Sequence, residues 1–321
     1  MRFVSADEVD RVLTHEGLME TLREAFRKGA VQPLRHHHTV DRPTGTASTL
    51  LLMPAWSDFS APGLEGGGYI GVKIVTVSPD NNAKNLPAIM GVYLLLDGQT
   101  GEPRALIDGQ RITLWRTACA SALAADYLAR EDATSMLMVG AGALAPFLVR
   151  AHAAVRSIKR VAVWNRTPAN AERLVETLRA EGFEARLADN IDDELGEADI
   201  VSCATISSVP LVHGAGLKPG THVDLVGAFA PTMRESDDEA IRRARVFVDT
   251  YGGATKEAGD IVQALDSGAL ARDRIQADLY ELCRGEKTGR GREDEITLFK
   301  SVGAAIEDLS AGISVWESIG S

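Results

Sequence analysis

The passage that most constrains this chain is short. The apolar run MLMVG at residues 136–140 leads directly into VGAGALA and then into a helical pattern from Leu144 to Val155. Gly140, Gly142 and Ala145 stand at the spacing required where a buried strand turns sharply into a helix and a pyrophosphate is held at the turn. Gly140 permits the tight turn, and Gly142 lets an anion approach the backbone that continues through Ala141, Ala143 and Leu144. Ala145 keeps the helix close to the strand, and free N–H groups at the helix start complete an anion site. A plain glycine turn without a ligand is the weaker reading in this setting.

The pattern then repeats. VAVWN follows as a second strand, then a helix with Ala171, Leu174, Val175 and Leu178 on one face, and further strands are predicted at ADIVSCA, HVDLVGA and RVFVDT. Continuous apolar strands alternating with helices imply a parallel sheet covered on both sides, an α/β Rossmann domain that binds a nicotinamide dinucleotide. In an NAD(H) site the second strand ends near a carboxylate that bonds the ribose 2′-hydroxyl. Here it ends WNRT. Asn165, Arg166 and Thr167 offer a guanidinium and neutral hydrogen-bonding groups to a 2′-phosphate, so NADP(H) is favoured and NAD(H) is the second choice.

The flanking segments read differently. Ser5 with Glu8 forms a capping-box pattern, and Leu18, Leu22 and Ala25 give an early helix its apolar face. YIGVKIVTV, IMGVYLLLD and ALID, with the turn DGQTGEP, read as an antiparallel meander. The small-residue helix WRTACASALAADYLAR ends in a polar break at Glu131 and Asp132, where the pattern changes character and a domain boundary is expected. Residues 63–68, GLEGGG, read as a flexible loop. Val302, Ala305, Ile306, Leu309 and Ile313 recur at helical spacing, so the tail is a long amphipathic helix that packs back on the first domain.

Composition narrows the class. With 45% hydrophobic and 25% charged residues the chain can bury a full core, and a formal net charge of -11 disfavours a nucleic-acid partner. Cys119, Cys203 and Cys283 are too scattered for a disulfide framework or a zinc site. No apolar run approaches the ~18 residues of a membrane span, and MRFVSADEVD does not resemble a signal peptide, so a cytoplasmic protein is expected. His36, His37 and His38 are consecutive, and on a strand they point to opposite faces, so no metal site is expected there.

Arg35, Lys73 and Arg116 are the candidate cations of the first domain. Lys73 lies between Val72 and Ile74 on an apolar strand, and an inward, functional side chain and an outward, solvated one are equally balanced. Glu65 and Asp260 are acidic candidates that spacing leaves unassigned.

In order along the chain, QPLR at 32–35, GVKIVTVSPDN at 71–81, LLLDGQTGEP, WRTACASALAADYLA, VGAGALA, WNRT and ITLFKSVGAAIEDL at 296–309 resemble the ornithine cyclodeaminase and mu-crystallin family across nearly the whole length. The resemblance implies a homodimer in which residues 1–115 plus 300–321 form an α+β substrate and dimerisation domain, and residues 116–299 an inserted Rossmann domain. It implies that Arg35 and Arg116 hold a substrate carboxylate, that Lys73 stands at the reacting nitrogen, and that Ser301 to Gly303 border the nicotinamide. Family cyclodeaminases carry a catalytic aspartate two residues before the proline of the segment that here reads VGAFAPTMRE; counting back from Pro231, the position is Phe229. The expectation is therefore an NAD(P)H-dependent reductase of cyclic ketimine carboxylates, Δ1-pyrroline-2-carboxylate to L-proline or the piperideine homologue. Ornithine cyclodeaminase, alanine dehydrogenase and a crystallin-like binding protein are the alternatives.

Overall fold

A computed structural model of the chain describes residues 1–60, 67–84 and 86–320. The loop expected at 63–68 lies largely outside the described residues, as does Glu65. The chain divides into two compact units, Met1–Arg116 with Ala304–Ser321 and Thr117–Gly303. The division falls within the helix Gly109–Leu128, not at the polar break at Glu131 and Asp132. Arg116 and Thr117, on either side of the division, are buried like Ala118, Cys119, Ala122, Leu123 and Leu128, so no exposed break marks it in the sequence. Among the described residues no helix is long and apolar enough to cross a membrane.

The first unit is built on a six-stranded sheet: β1 (Arg2–Val4), β2 (His36–Val40), β3 (Ser48–Trp56), β4 (Tyr69–Val77), β5 (Ile89–Asp97) and β6 (Pro103–Asp108). The order is β1-β6-β5-β4-β3-β2, antiparallel except for the parallel pair β1 and β6. The expected meander is β4, β5 and β6. The Ser5–Glu8 capping box is present, but the helix it starts ends at Val12. Thr14 caps a second helix, His15–Lys28, whose buried stripe is Leu18, Met19, Leu22 and Phe26, with Ala25 only half-buried. Leu13 is extended between them, which breaks what the pattern reads as one helix.

The C-terminal helix Ala305–Gly320 packs on β3, β4, β5 and the His15–Lys28 helix. Its approach depends on glycine. A Cβ on Gly312 would lie 2.5 Å from the Tyr93 ring, and one on Gly71 would lie 1.8 Å from the Tyr93 hydroxyl oxygen. Tyr93 is thus clamped between β4 and the helix. The opposite face of the sheet carries Leu52, Pro54, Val72, Ile74, Val92, Leu94 and Leu106, which the strand register places side by side. Val92 on this face is 37% exposed.

The second unit is an eight-stranded, wholly parallel sheet: β7 (Ser135–Val139), β8 (Arg160–Trp164), β9 (Glu184–Leu187), β10 (Ile200–Cys203), β11 (His222–Leu225), β12 (Ala244–Val248), β13 (Ile275–Asp278) and β14 (Ile296–Lys300). The order is β13-β12-β14-β11-β10-β7-β8-β9. The chain winds outward from β7 in both directions, so the topological switch point lies between β7 and β10, at the end of the glycine turn. Every residue of β7, β10, β11 and β14 is buried, the mark of central parallel strands. The last strand, β14, inserts between β11 and β12 and carries its carboxyl end to the middle of the sheet.

The clamp on Tyr93 generates a stability prediction. Gly71→Ala should lower the thermal midpoint, at a cost of about 1–3 kcal/mol for overpacking. Tyr93→Phe should be nearly neutral or stabilising, because the buried hydroxyl has no hydrogen-bond partner among the described residues. The double variant should recover part of the Gly71→Ala loss, since the hydroxyl is the atom the new methyl meets. Strictly additive losses in thermal denaturation would show that the methyl is accommodated elsewhere.

Candidate active site

Alternation along β4 turns Gly71, Lys73 and Val75 toward the C-terminal helix, which resolves the ambiguity of the lysine: its side chain is inward and 2% exposed. Its Nζ donates to Asp308 Oδ1 at 2.8 Å and lies 3.5 Å from the Thr113 hydroxyl. Arg116, also buried, donates through Nε to Asp308 Oδ1 at 3.0 Å and through Nη1 to Glu307 Oε2 at 2.7 Å. Glu307 and Asp308 are both fully buried in the first turn of the C-terminal helix. Gln32 fixes that turn by accepting the Ile306 N–H through Oε1 at 3.0 Å.

The electrostatics of the cluster follow from its burial. Removal from water brings the Lys73 ammonium down to about 8, with the Arg116 guanidinium pushing the same way and Asp308 opposing. Arg35, half-buried just before β2, also lowers it, so all three expected cations act within one electrostatic field. Burial, then the Asp308 charge, raises the Tyr93 hydroxyl well above its usual value.

Glu307, Asp308, Thr113 and Tyr93 escape a reading of the sequence. Acidic residues in a first helical turn are ordinary partners of the helix dipole, so IEDL in the tail gives no alarm. The one available signal is that the acidic pair sits inside an otherwise uncharged run, SVGAAIEDLSAGISVW.

In the second unit Gly140 has a φ of +106°, and a Cβ there would lie 2.7 Å from the Ala204 carbonyl oxygen. A Cβ on Gly142 would meet nothing within 4 Å, so the backbone there is open to a ligand. Gly142 and Ala143 are exposed, and Leu144 precedes the helix Ala145–Val155, which has no side-chain cap. Pro146 in its first turn has no N–H and the Ala145 amide donates to the Gly142 carbonyl at 3.1 Å, so the exposed backbone of Gly142 and Ala143 is the part of the turn that an anion can approach.

Asn165 is placed differently from the expectation that it offers itself to a 2′-phosphate. Its Oδ1 accepts the Ala141 N–H at 3.0 Å and its Nδ2 donates to the Thr167 carbonyl at 2.9 Å, so the side chain braces the glycine turn against the end of β8. Arg166 is exposed, and Thr167 starts the helix Pro168–Ala180 without a side-chain capping bond. After β14, Ser301 is buried and donates its N–H to the Leu225 carbonyl at 3.2 Å. The Val302 and Gly303 amides donate to Asp249 Oδ2 at 2.7 and 2.8 Å, so this turn is held by a buried carboxylate and its amides are already engaged. Phe229, in the turn after β11, is 38% exposed. His36, His37 and His38 lie exposed on the edge strand β2, and the three cysteines are buried.

Comparison with known proteins gives a consistent result. The family model described as ornithine cyclodeaminase/mu-crystallin family matches residues 2–321. An Arabidopsis thaliana protein called SAR DEFICIENT 4 is 43% identical over 98% of this chain and 97% of its own length. A Delta(1)-pyrroline-2-carboxylate reductase of Colwellia psychrerythraea is 35% identical over 99% of both chains. Among solved structures, the Thermococcus litoralis Delta(1)-pyrroline-2-carboxylate reductase in complex with NADH and L-proline superposes with a TM-score of 0.92 at 32% identity, over 99% of this chain and 97% of that one. The fold, the ordered motifs and these matches agree: the chain belongs to the ornithine cyclodeaminase/mu-crystallin family.

Proposed function

We propose that this chain is an NAD(P)H-dependent reductase of cyclic ketimine carboxylates, converting Δ1-pyrroline-2-carboxylate to L-proline and, by the same chemistry, Δ1-piperideine-2-carboxylate to L-pipecolate. The observation that carries the reading is the buried Lys73 ammonium, 2.8 Å from Asp308 and sharing a field with Arg35 and Arg116. Similarity to proteins named for pyrroline carboxylate reduction, one of them solved with NADH and L-proline, supports it.

Arg35 and Arg116 take the substrate carboxylate through charge-assisted bonds, with Glu307 and Asp308 orienting Arg116. Fixing the carboxylate fixes the neighbouring imine carbon and turns the ring nitrogen toward Lys73. The second unit would hold a nicotinamide dinucleotide, which when bound would supply the hydride for that carbon. Lys73 delivers a proton to the nitrogen, so the C=N π bond is replaced by one C–H and one N–H bond and a secondary amine results. Deaminating cyclisation of ornithine needs an acid/base where Phe229 stands, and a phenyl group exchanges no proton.

In this reading Met1–Arg116 with Ala304–Ser321 is the substrate and dimerisation domain, and Thr117–Gly303 binds the dinucleotide. Gly140 to Leu144 would hold the phosphates, and Ser301 and Gly303, in a carboxylate-braced turn, would border the nicotinamide. A preference for NADP(H) is supported by the WNRT segment, in which Arg166 and the Thr167 hydroxyl would meet a 2′-phosphate and no carboxylate would repel it. The homodimer uses the second face of the first unit's sheet, whose apolar residues are of the kind an interface covers.

The reading is tested by following NADPH oxidation with pyrroline and piperideine carboxylates, beside ornithine with NAD+ and pyruvate with ammonia. Imine reduction should dominate. Ammonia release from ornithine at comparable rates, strict dependence on ammonia, or tight ligand binding without turnover would each overturn it. The rate constant kcat/KM should fall as pH rises through about 8, because the protonated Lys73 is the donor and is lost above that value. Lys73→Met should remove this limb and lower turnover by about 10²–10⁴-fold with cofactor affinity intact; equal losses of both would indicate a structural lysine.

Arg166→Asp should shift the NADPH to NADH preference by about tenfold or more, the loss of one charge-assisted contact and the gain of a repulsion. An unchanged ratio would remove Arg166 from the site. Leu94→Asp should convert the protein to a monomer in light scattering, since a carboxylate on an apolar interface lacks a partner; a retained dimer would place the interface elsewhere.

A further inference from the structure

Lys300, the last residue of β14, is fully buried in the second unit, and no step proposed above uses it. Its Nζ donates to the Gly227 carbonyl at 2.5 Å and lies 3.4 Å from Asp260 Oδ2 and 3.7 Å from Glu235 Oε2. Both carboxylates are also fully buried. Apolar residues of similar volume commonly replace such a buried ion cluster with no loss of stability, so stability alone does not explain its presence.

The three side chains converge on backbone turns. Glu235 Oε1 accepts the Thr205 N–H at 2.7 Å and the Thr205 hydroxyl at 2.9 Å, holding the turn after β10. Asp260 Oδ1 accepts the N–H groups of Glu235 and Ser236 at 2.9 and 2.8 Å, which fixes the segment that carries Glu235. Lys300 holds the turn after β11 through Gly227. The next residue, Ala228, has a φ of +39°, a left-handed conformation that a non-glycine residue keeps only when its surroundings impose it. Space is tight: a Cβ on Gly227 would lie 2.0 Å from the Thr205 carbonyl oxygen and 2.3 Å from Glu235 Oε1.

These turns stand at the carboxyl edge of the parallel sheet, where doubly wound folds take their ligands. The turn after β10 touches the glycine turn itself, since a Cβ on Gly140 would lie 2.7 Å from Ala204 and 3.2 Å from the Thr205 methyl. In the order β8-β7-β10-β11 the end of β8 serves the adenosine side, which leaves the ends of β10 and β11 to the nicotinamide side.

We propose that Lys300, Glu235 and Asp260 form a positioning cluster that fixes the turns after β10 and β11 against the glycine turn and so gives the nicotinamide half of the dinucleotide a single seat. The proposal rests on the reading of the second unit as a dinucleotide domain. Cofactor dissociation constants, read from NADPH fluorescence, test it alongside melting temperature and the KM for imine. Lys300→Met should weaken NADPH binding about tenfold and Thr205→Val about threefold, the loss of a charged and of a neutral hydrogen bond respectively, with the imine KM nearly unchanged. Adding Glu235→Gln to Lys300→Met removes one of the two buried carboxylates left facing no cation, so the melting temperature should recover in part while NADPH affinity stays weak, because Gly227 still has no donor. Recovery of affinity in step with melting temperature, or NADPH binding unaltered in Thr205→Val should the lysine variant fail to fold, would leave the cluster a structural feature only and overturn the proposal. A wild-type protein that binds neither NADPH nor NADH would instead refute the dinucleotide reading itself.

Discussion

The buried ion cluster joining β4, the Gly109–Leu128 helix and the C-terminal helix is the interaction on which the first unit depends. Its members come from distant parts of the chain: Lys73 and Asp308 are 235 residues apart, and Arg116 and Glu307 are 191 apart. The whole parallel-sheet unit is inserted between them. Removing one partner from a buried pair typically costs about 3–5 kcal/mol, because the remaining charge is left without compensation. The cluster therefore both returns the end of the chain to the unit in which it began and holds Arg116 and Lys73 in fixed orientations.

A second theme is the use of buried polar side chains to hold turns at the carboxyl edge of the parallel sheet. Asn165 braces the glycine turn, Asp249 takes two amides of the turn after β14, and Glu235 takes the amide and hydroxyl of Thr205. Each satisfies backbone donors that would otherwise be buried unpaired or left mobile. Ligand-binding turns set in this way are held on the rigid ends of strands, and a preorganised site of that kind loses less freedom when a ligand arrives.

Much of this was legible in the residues. The β7 strand, its glycine turn and the helix after it show in VGAGALA, the antiparallel meander in YIGVKIVTV and IMGVYLLLD, and the capping box in Ser5 and Glu8. The short edge strands β9 and β13, EARL and IQAD, carry too few apolar residues to stand out. β14 reads locally as any apolar strand, and nothing in ITLFK says that it inserts between β11 and β12. The break at Leu13 was hidden because the apolar spacing runs on through it. Asn165 looked like a ligand-binding residue because its partner, the Ala141 amide, is 24 positions away.

The sequence by itself determined what depends on near neighbours: the sharp turn at Gly140, the alternation of strand and helix that makes the sheet parallel, and the absence of a carboxylate in WNRT. These are properties of backbone sterics and of charges a few residues apart, and they read the same in any context. Only the tertiary structure decided which way Lys73 points, that Glu307 and Asp308 meet it and Arg116, and that Lys300 is buried beneath two turns. Those outcomes depend on packing between segments tens to hundreds of residues apart, and a charge carries no local sign of the partner that will compensate its burial.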